Sequence, residues 1–431
     1  MYKRTLSSTI HTISESFPVL MLTGPRQVGK TTLLEMCAAG KRAYVTLDDL
    51  DARRLAQRDP ALFLQTWQPP LIIDEVQYAP QLFSAIKMRV DREKRNGLFW
   101  LTGSQKFHLM RGITESLAGR VAIVDLLGLS RAESEGRADS SRPFVPTPEW
   151  IARARLAATP ATDGLMEIYS RIWLGAFPRL NEQGPAARNL FYRSYIQTYI
   201  QRDVQDMLKV TDQTTFNRFL GAVAARTGQL LNYASLAREV EIDNKTVKSW
   251  MSILEASGLV YLLQPYHRNL TKRLVKTPKL YFLDTGLAAY LTKWPDAASL
   301  QAGSMSGAML ETWLFAEILK SYWHNGLEAN VFFYRDVDQR EVDLVIEVGD
   351  TLYPVEFKKT ASPSAGAARQ FAVLEKLGKT VGPGAVLCFV ERDIPLSSQV
   401  TAVPVGYLEV RNFTRCSPCG QSCTCGSSCL P

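Results

Sequence analysis

The sequence predicts an α/β chain built from consecutive units, and three observations carry that prediction. Short apolar runs, each followed by small or acidic residues, recur as far as Asp125; helix–turn–helix spacing follows near residue 240; and three strand-like segments come after a long amphipathic helix near the C-terminus. At 431 residues, with 46% hydrophobic and 21% charged residues, the chain is long enough for several cores and is not of disordered composition. No apolar run reaches the ~18 residues of a membrane span, so a soluble cytoplasmic protein with no membrane partner is expected. Fifty Lys and Arg against 42 Asp and Glu leave a net charge of +8, which permits nucleic-acid contact without requiring it. Five of the seven cysteines crowd into the last sixteen residues, and the cysteine-poor body suits an intracellular enzyme.

The first apolar run, FPVLMLT (Phe17 to Thr23), reads as a buried strand, and TTLLEMCAA has helical spacing. The glycines of GPRQVGK therefore sit in a strand-to-helix turn. With Gly24 and Gly29 separated by four residues and followed by Lys30 and Thr31, successive backbone N–H groups can face phosphate, Lys30 can reach the outer phosphates and Thr31 can ligate Mg²⁺. Gly24, Pro25, Arg26, Gln27, Val28, Gly29, Lys30, Thr31 and Thr32 are thus the candidate nucleotide-binding residues.

Leu71, Ile72 and Ile73 form a second buried strand that delivers Asp74 and Glu75 to its C-terminal end, where ligands bind parallel sheets. Asp74 is expected to hold Mg²⁺ through its water shell and Glu75 to polarise the attacking water, with Lys30 as the third catalytic group. AYVTLDDL supplies a strand between these two motifs, and LFWLTGSQ another, whose end offers Thr102, Ser104 or Gln105 to the γ-phosphate or the water. ESLAGR sets Arg120 before the apolar VAIVDLLGLS, either as an arginine finger or phosphate sensor or as a surface arginine. A finger acting in trans requires a homo-oligomer.

Together these segments resemble an AAA-type P-loop ATPase module, with Walker A GPRQVGKT, Walker B LIIDE and a sensor-like LTGSQ. The combination LIIDEVQYAP, LTGSQ and ESLAGR is similar to a family of prokaryotic ATPases that join this module to a C-terminal domain of long-uncertain function. The resemblance extends to about residue 390 and implies ATP and Mg²⁺ as cofactors.

From Glu133 to about Gly164 the composition turns to Ser, Arg, Pro, Ala and Thr and reads as a boundary. Tyr192, Tyr195, Ile196, Tyr199 and Ile200 then recur at three- and four-residue steps, the stripe of a helical connector packed on the ATPase. SLAREV, a turn at EID and a helix from Asn244 to Ser257 capped by Asp243 follow, with LVYLLQPY and LYFLD as strands of a wing. This is the sequence shape of a winged helix-turn-helix, seen also in the resembling ATPases. If it reads DNA, Asn244, Lys245, Thr246 and Lys248 enter the major groove, while Arg268, Lys272, Arg273, Lys276 and Lys279 hold phosphate. Winged helices also dock proteins, so both partners stay open.

In the last block, GAMLETWLFAEILKSYW is an amphipathic helix bearing Glu311, and VFFYR, EVDLVIEV and LYPVEFK read as strands. Asp343 lies among apolar neighbours, and Glu356 and Lys358 share one strand face because side chains two apart point the same way. This set resembles the PD-(D/E)XK nuclease fold. The resemblance implies a second divalent metal held by Asp343 and Glu356, completed or oriented by Glu311, with Lys358 stabilising the attacking hydroxide or the phosphate charge. The alternatives are an ion pair of Glu356 with Lys358 or Lys359, or an inactive relic of that fold. The Cys-rich end is read as a disordered tail with no assigned metal.

The expected fold class is therefore α/β: a P-loop NTPase parallel sheet (1–133), a linker and helical connector (134–215), a winged helix-turn-helix (216–284), a restriction-endonuclease-like α/β domain (285–412) and a tail (413–431). The expected function is Mg²⁺-dependent ATP hydrolysis coupled to DNA binding by the C-terminal half. An ATP-gated metal-dependent DNA endonuclease and a nucleotide-switched protein-interaction module are the alternatives.

Overall fold

A computed structural model describes residues 1–103, 116–157, 164–200, 213–267 and 277–408. Its N-terminal unit opens with helix α1 (Leu6–Ser16), strand β1 (Val19–Thr23) and helix α2 (Lys30–Ala38). Then come β2 (Ala43–Thr46), α3 (Leu50–Arg58), α4 (Pro60–Thr66), β3 (Leu71–Asp74), α5 (Leu82–Glu93), β4 (Phe99–Thr102) and β5 (Val121–Asp125). All five strands run parallel in the order β2-β3-β4-β1-β5. Strands β1, β3 and β4 are buried along their whole length, as parallel strands covered on both faces must be.

Alternation along those strands divides the packing in two. Leu20, Leu22, Ile72 and Trp100 face α1 and α2, whereas Val19, Met21, Leu71, Ile73, Phe99 and Leu101 share a separate core with residues of α3, α4 and α5. The first core does not stop at the sheet. It continues through the rest of the chain as one cluster of buried side chains.

Short helices lead away from β5: α6 (Arg131–Ser134), α7 (Pro148–Ala157), α8 (Leu165–Leu174), α9 (Pro178–Gln183) and α10 (Arg188–Tyr195). Tyr192, Tyr195 and Ile196 are buried, as their spacing predicts. The Tyr192 hydroxyl lies 2.7 Å from Asp284 Oδ1 and 3.0 Å from Leu174 O, tying this connector to the next unit.

That unit contains α11 (Gln213–Ala224), β6 (Gln229–Leu230), α12 (Tyr233–Val240), α13 (Asn244–Ala256), β7 (Val260–Leu263) and β8 (Lys279–Phe282). Its strands form an antiparallel sheet in the order β6-β8-β7. The Asp243 carboxylate caps α13 by accepting from the N–H groups of Lys245 and Thr246, and Gly258 in the left-handed region (φ 68°) turns the chain out of it. Val247, Trp250, Met251 and Leu254 face inward, as the periodicity requires.

Helices α14 (Thr285–Leu291), α15 (Ala297–Ala302) and α16 (Ser306–Trp323) precede the last sheet. It comprises β9 (Val331–Arg335), β10 (Glu341–Val348), β11 (Thr351–Phe357), β12 (Thr380–Val381), β13 (Gly384–Cys388), β14 (Ile394–Pro395) and β15 (Val400–Pro404). The strand order is β14-β15-β13-β11-β10-β9, with β12 also paired to β11. β9, β10 and β11 are antiparallel, whereas β11, β13 and β15 are parallel. Helix α16 is buried on nearly every side rather than amphipathic. Among the described residues no helix is long and apolar enough to cross a membrane.

Candidate nucleotide site and an acidic cluster

The loop after β1 meets its geometric requirements residue by residue. Gly24 leaves the strand at φ 139°, and a Cβ there would stand 2.0 Å from Leu126 O, so the position admits only glycine. Gly29 (φ 90°) hands the chain to α2, which starts at Lys30. Lys30 is buried and its ammonium donates to Gly24 O (3.0 Å) and Pro25 O (2.8 Å), so it already lies inside the loop. Thr32, one residue past Thr31, is exposed.

Parallel pairing brings the ends of β1, β3 and β4 to the same edge. The Thr31 hydroxyl donates to Asp74 Oδ1 at 2.8 Å, Thr102 Oγ1 donates to the same oxygen, and the Tyr44 hydroxyl donates to Asp74 Oδ2 at 3.2 Å. Burial, then the Asp74 charge, keeps the Tyr44 hydroxyl protonated well above its ordinary range. Glu75 takes a left-handed backbone (φ 54°), and its carboxylate accepts from Gln77 Nε2 and lies 4.0 Å from Arg26 Nη1. A hydroxyl and a carboxylate in contact at a strand end, beside a loop of inward N–H groups and a buried lysine, are oxygen donors suited to Mg²⁺ and a polyphosphate. The residues fit Mg²⁺ and ATP.

Arg120 does not join them. It precedes β5 at the opposite end of the sheet, where its carbonyl accepts from Val19 N–H and its guanidinium forks onto Asp91 with contacts of 2.6 and 3.1 Å. The length of β1, roughly 13 Å, separates it from its own loop, so an in-cis finger is corrected to a surface ion pair. Ser104 and Gln105 lie outside the described residues.

Behind the loop runs a buried polar network with no counterpart in the sequence reading. Arg4 donates to Val28 O (2.8 Å) and Leu127 O (2.7 Å), and its Nε stands 3.0 Å from Glu133 Oε2. Glu133 also accepts from the N–H groups of Thr5 (2.8 Å) and Ser130 (2.9 Å), and faces His324 Nδ1 at 3.2 Å. Burial opposes ionisation of Glu133, yet Arg4 and His324 hold it well below the usual carboxylate range. His324 Nε2 accepts from Leu127 N–H at 3.2 Å, and Lys320 donates to Leu129 O (2.9 Å) and Glu317 (2.7 Å). Residues 317, 320 and 324, spaced three and four apart at the end of an otherwise apolar helix, were the signal available for this face.

The second candidate cluster lies where β8, α16, β10 and β11 meet. Glu311, Asp343, Glu356 and Lys358 do converge there. Lys358 donates to Glu356 Oε1 at 2.6 Å, and Phe357 N–H donates to Asp343 Oδ2 at 3.1 Å. Burial, then the Asp343 charge, pushes the carboxyl groups of Glu311 and Glu356 upward.

Sequence reasoning placed Lys279 on a phosphate-binding wing, and this is corrected. Its side chain is only 4% exposed, and its ammonium contacts Glu311 (3.1 Å), Asp343 (3.5 Å) and Glu341. As the first residue of β8, it turns inward with the strand. Arg268, Lys272, Arg273 and Lys276 lie outside the described residues. No group of three or more His, Cys, Asp or Glu side chains among the described residues is arranged to hold a metal.

Asn244, Lys245 and Lys248 are exposed at the start of α13, while the Thr246 hydroxyl donates to Asp243 Oδ2 at 2.5 Å. The other end of this helix touches the nucleotide loop. A Cβ on Gly258 would lie 3.0 Å from two ring carbons of Pro25.

A family model described as an AAA domain matches residues 16–135, the span that holds the loop, Asp74 and Glu75. Two models described as domains of unknown function, DUF8612 and DUF4143, match residues 166–298 and 306–408. The chain is 31% identical over 398 residues to the uncharacterized protein Rv2008c of Mycobacterium tuberculosis, covering 90% of this chain and 80% of that protein. It belongs to the Rv2008c family. Its N-terminal unit is an AAA-type P-loop ATPase domain. The uncharacterized protein Mb2031c of Mycobacterium bovis matches with the same identity and coverage. Among solved structures, the Walker-type ATPase PABY2304 of Pyrococcus abyssi is 14% identical with a TM-score of 0.43, covering 66% of this chain and 94% of that one.

Proposed function

We propose that this protein hydrolyses ATP with Mg²⁺ and that its nucleotide state adjusts a DNA-contacting unit in its C-terminal half. The observation that carries the first part is the convergence of Lys30, Thr31 and Asp74, supported by Thr102 and Tyr44, at the mouth of a glycine-bounded loop. Backbone N–H groups of residues 24–31 hold the phosphates. Lys30 moves from the Gly24 and Pro25 carbonyls to the outer phosphate oxygens, and Thr31 and Asp74 hold Mg²⁺, which supplies charge neutralisation when bound. Glu75, released from Gln77 and Arg26, orients the attacking water and accepts its proton.

For the second part, residues 213–284 are read as a winged helix, supported by three helices joined to a three-stranded antiparallel sheet and by exposed Asn244, Lys245 and Lys248 on the helix that follows the turn. The contact of Gly258 with Pro25 joins this unit to the loop. Arg120 serves in trans only if a second copy brings its nucleotide site to that face. Metal-dependent DNA cleavage is left out of this reading because Lys279 stands among the carboxylates that the metal would need.

ATP turnover and fluorescent-nucleotide binding test the ATPase. Lys30→Ala should lose both, whereas Glu75→Gln should bind nucleotide and turn over roughly 10²–10⁴-fold more slowly. Unchanged turnover in Glu75→Gln would remove that residue from the reaction. Duplex DNA affinity measured with ATP and with ADP tests the coupling. Lys245→Ala with Lys248→Ala should weaken binding and flatten its salt dependence. Affinity indifferent to nucleotide would sink the coupling.

A further inference from the structure

The acidic cluster brings together four carboxylates from three elements: Glu311 from α16, Glu341 and Asp343 from β10, and Glu356 from β11. Lys358 and Arg335 lie at its margins, paired with Glu356 and Glu341 respectively. Its centre is taken by Lys279, which belongs to the preceding unit. Strand β8 inserts that ammonium between Glu311, Glu341 and Asp343, above the Phe333 ring at 5.7 Å. Tyr281, two residues along the same strand face, donates its hydroxyl to Glu311 Oε1 at 2.5 Å. One oxygen is left over: Glu356 Oε2 is buried with no hydrogen-bond partner among the described residues.

A hard divalent cation asks for several oxygens at about 2.0–2.6 Å from one point. The carboxylates around Lys279 are instead spaced for N–H···O contacts, and a second cation placed among them would meet the ammonium at close range. The residues do not fit a divalent ion while Lys279 is in place. They supply the donors for one if it leaves, with the orphaned Glu356 oxygen already stripped of water.

We propose that Lys279 Nζ occupies a divalent-cation site of the C-terminal unit, so that metal and lysine compete for one position. Strand β8 pairs with β7, and β7 follows the Gly258 turn that abuts Pro25 of the nucleotide loop. Withdrawal of Lys279 is therefore a motion of the sheet that lies next to the ATPase. The proposal stands without that coupling, since the occupancy rests on β8 alone.

The test is Mn²⁺ binding to the full nucleotide-free chain, followed by electron paramagnetic resonance, in the natural protein, Lys279→Met and Lys279→Met/Asp343→Asn. Any Mn²⁺ at the nucleotide loop is common to all three. Lys279→Met should bind one more Mn²⁺ than the natural protein, at least about tenfold more tightly than any residual binding there, and the double variant should lose it. Equal binding by the natural protein and Lys279→Met overturns the proposal. If Lys279→Met is poorly folded, its melting is followed with and without millimolar Mn²⁺. A melting temperature raised by metal in this variant and not in the natural protein supports the competition, and no such rise refutes it.

Discussion

Removing the Arg4 guanidinium should cost more than any surface charge in the molecule. Its Nε lies 3.0 Å from Glu133 Oε2, with neither side chain exposed by more than 4%. Nε lacks a hydrogen-bond partner even so, which leaves charge rather than alignment to carry that contact. Breaking a buried pair by deleting one partner costs roughly 3–5 kcal/mol. Losing the hydrogen bonds to Val28 O and Leu127 O adds about 1 kcal/mol each. Arg4→Met should therefore destabilise by about 5 kcal/mol or more, a large part of the 5–15 kcal/mol available to a typical domain. Glu133→Gln, which keeps the shape, should cost less. Urea denaturation followed by tryptophan fluorescence gives the double-mutant cycle, and a coupling of about 2 kcal/mol is expected between the two positions. Coupling below about 0.5 kcal/mol would show that the two groups stabilise the fold independently, and the network would lose its standing as a unit.

Three further outcomes follow from particular contacts. His324 is held below its ordinary value, by burial first and against the pull of Glu133, so the unfolded chain takes up its proton before the folded one. Stability should then fall as pH drops below about 6.5, with Glu133 adding to the loss at lower pH, and His324→Gln should flatten the first part of that slope in urea melts at stepped pH. Gly24→Ala forces a Cβ against Leu126 O. It should cost roughly 1–3 kcal/mol in strain and lower fluorescent-ATP affinity at least about tenfold. Tyr192→Phe removes the hydroxyl beside Asp284 and Leu174 O, but Asp284 keeps the N–H groups of Ala176 and Leu287. A loss of about 1–2 kcal/mol in thermal or urea melts is expected, with ATP turnover intact.

The nucleotide site was legible because its chemistry is local. Gly24 to Thr31 is one continuous turn, and β3 had to end at Asp74 beside it once the strands were taken as parallel. The helices and strands from residue 233 to 282 were legible for the same reason, through the Asp243 cap, the Gly258 stop and the apolar period of α13. Lys279 was misread because five basic residues between Gln264 and Lys279 look alike in a list of charges, while only the onset of β8 turns the last of them inward. Arg120 failed similarly: its position before an apolar run does not say which end of the sheet that run begins at. The Arg4 network was invisible for a different reason, since it pairs residues 4, 133 and 324, and nothing in the sequence says that such distant positions meet.

That last pairing bears on the order in which the protein is made. Ribosomes release Arg4, the nucleotide loop and Glu133 long before His324 and Lys320 exist, so the newborn ATPase carries an apolar face and a set of backbone groups from Leu127 to Arg131 awaiting their cover. A chain cut in the connector would keep every Walker residue and still lack that cover. The seemingly independent front third is thus completed by the last helix to emerge, and truncation would confuse loss of the C-terminal function with loss of the ATPase itself.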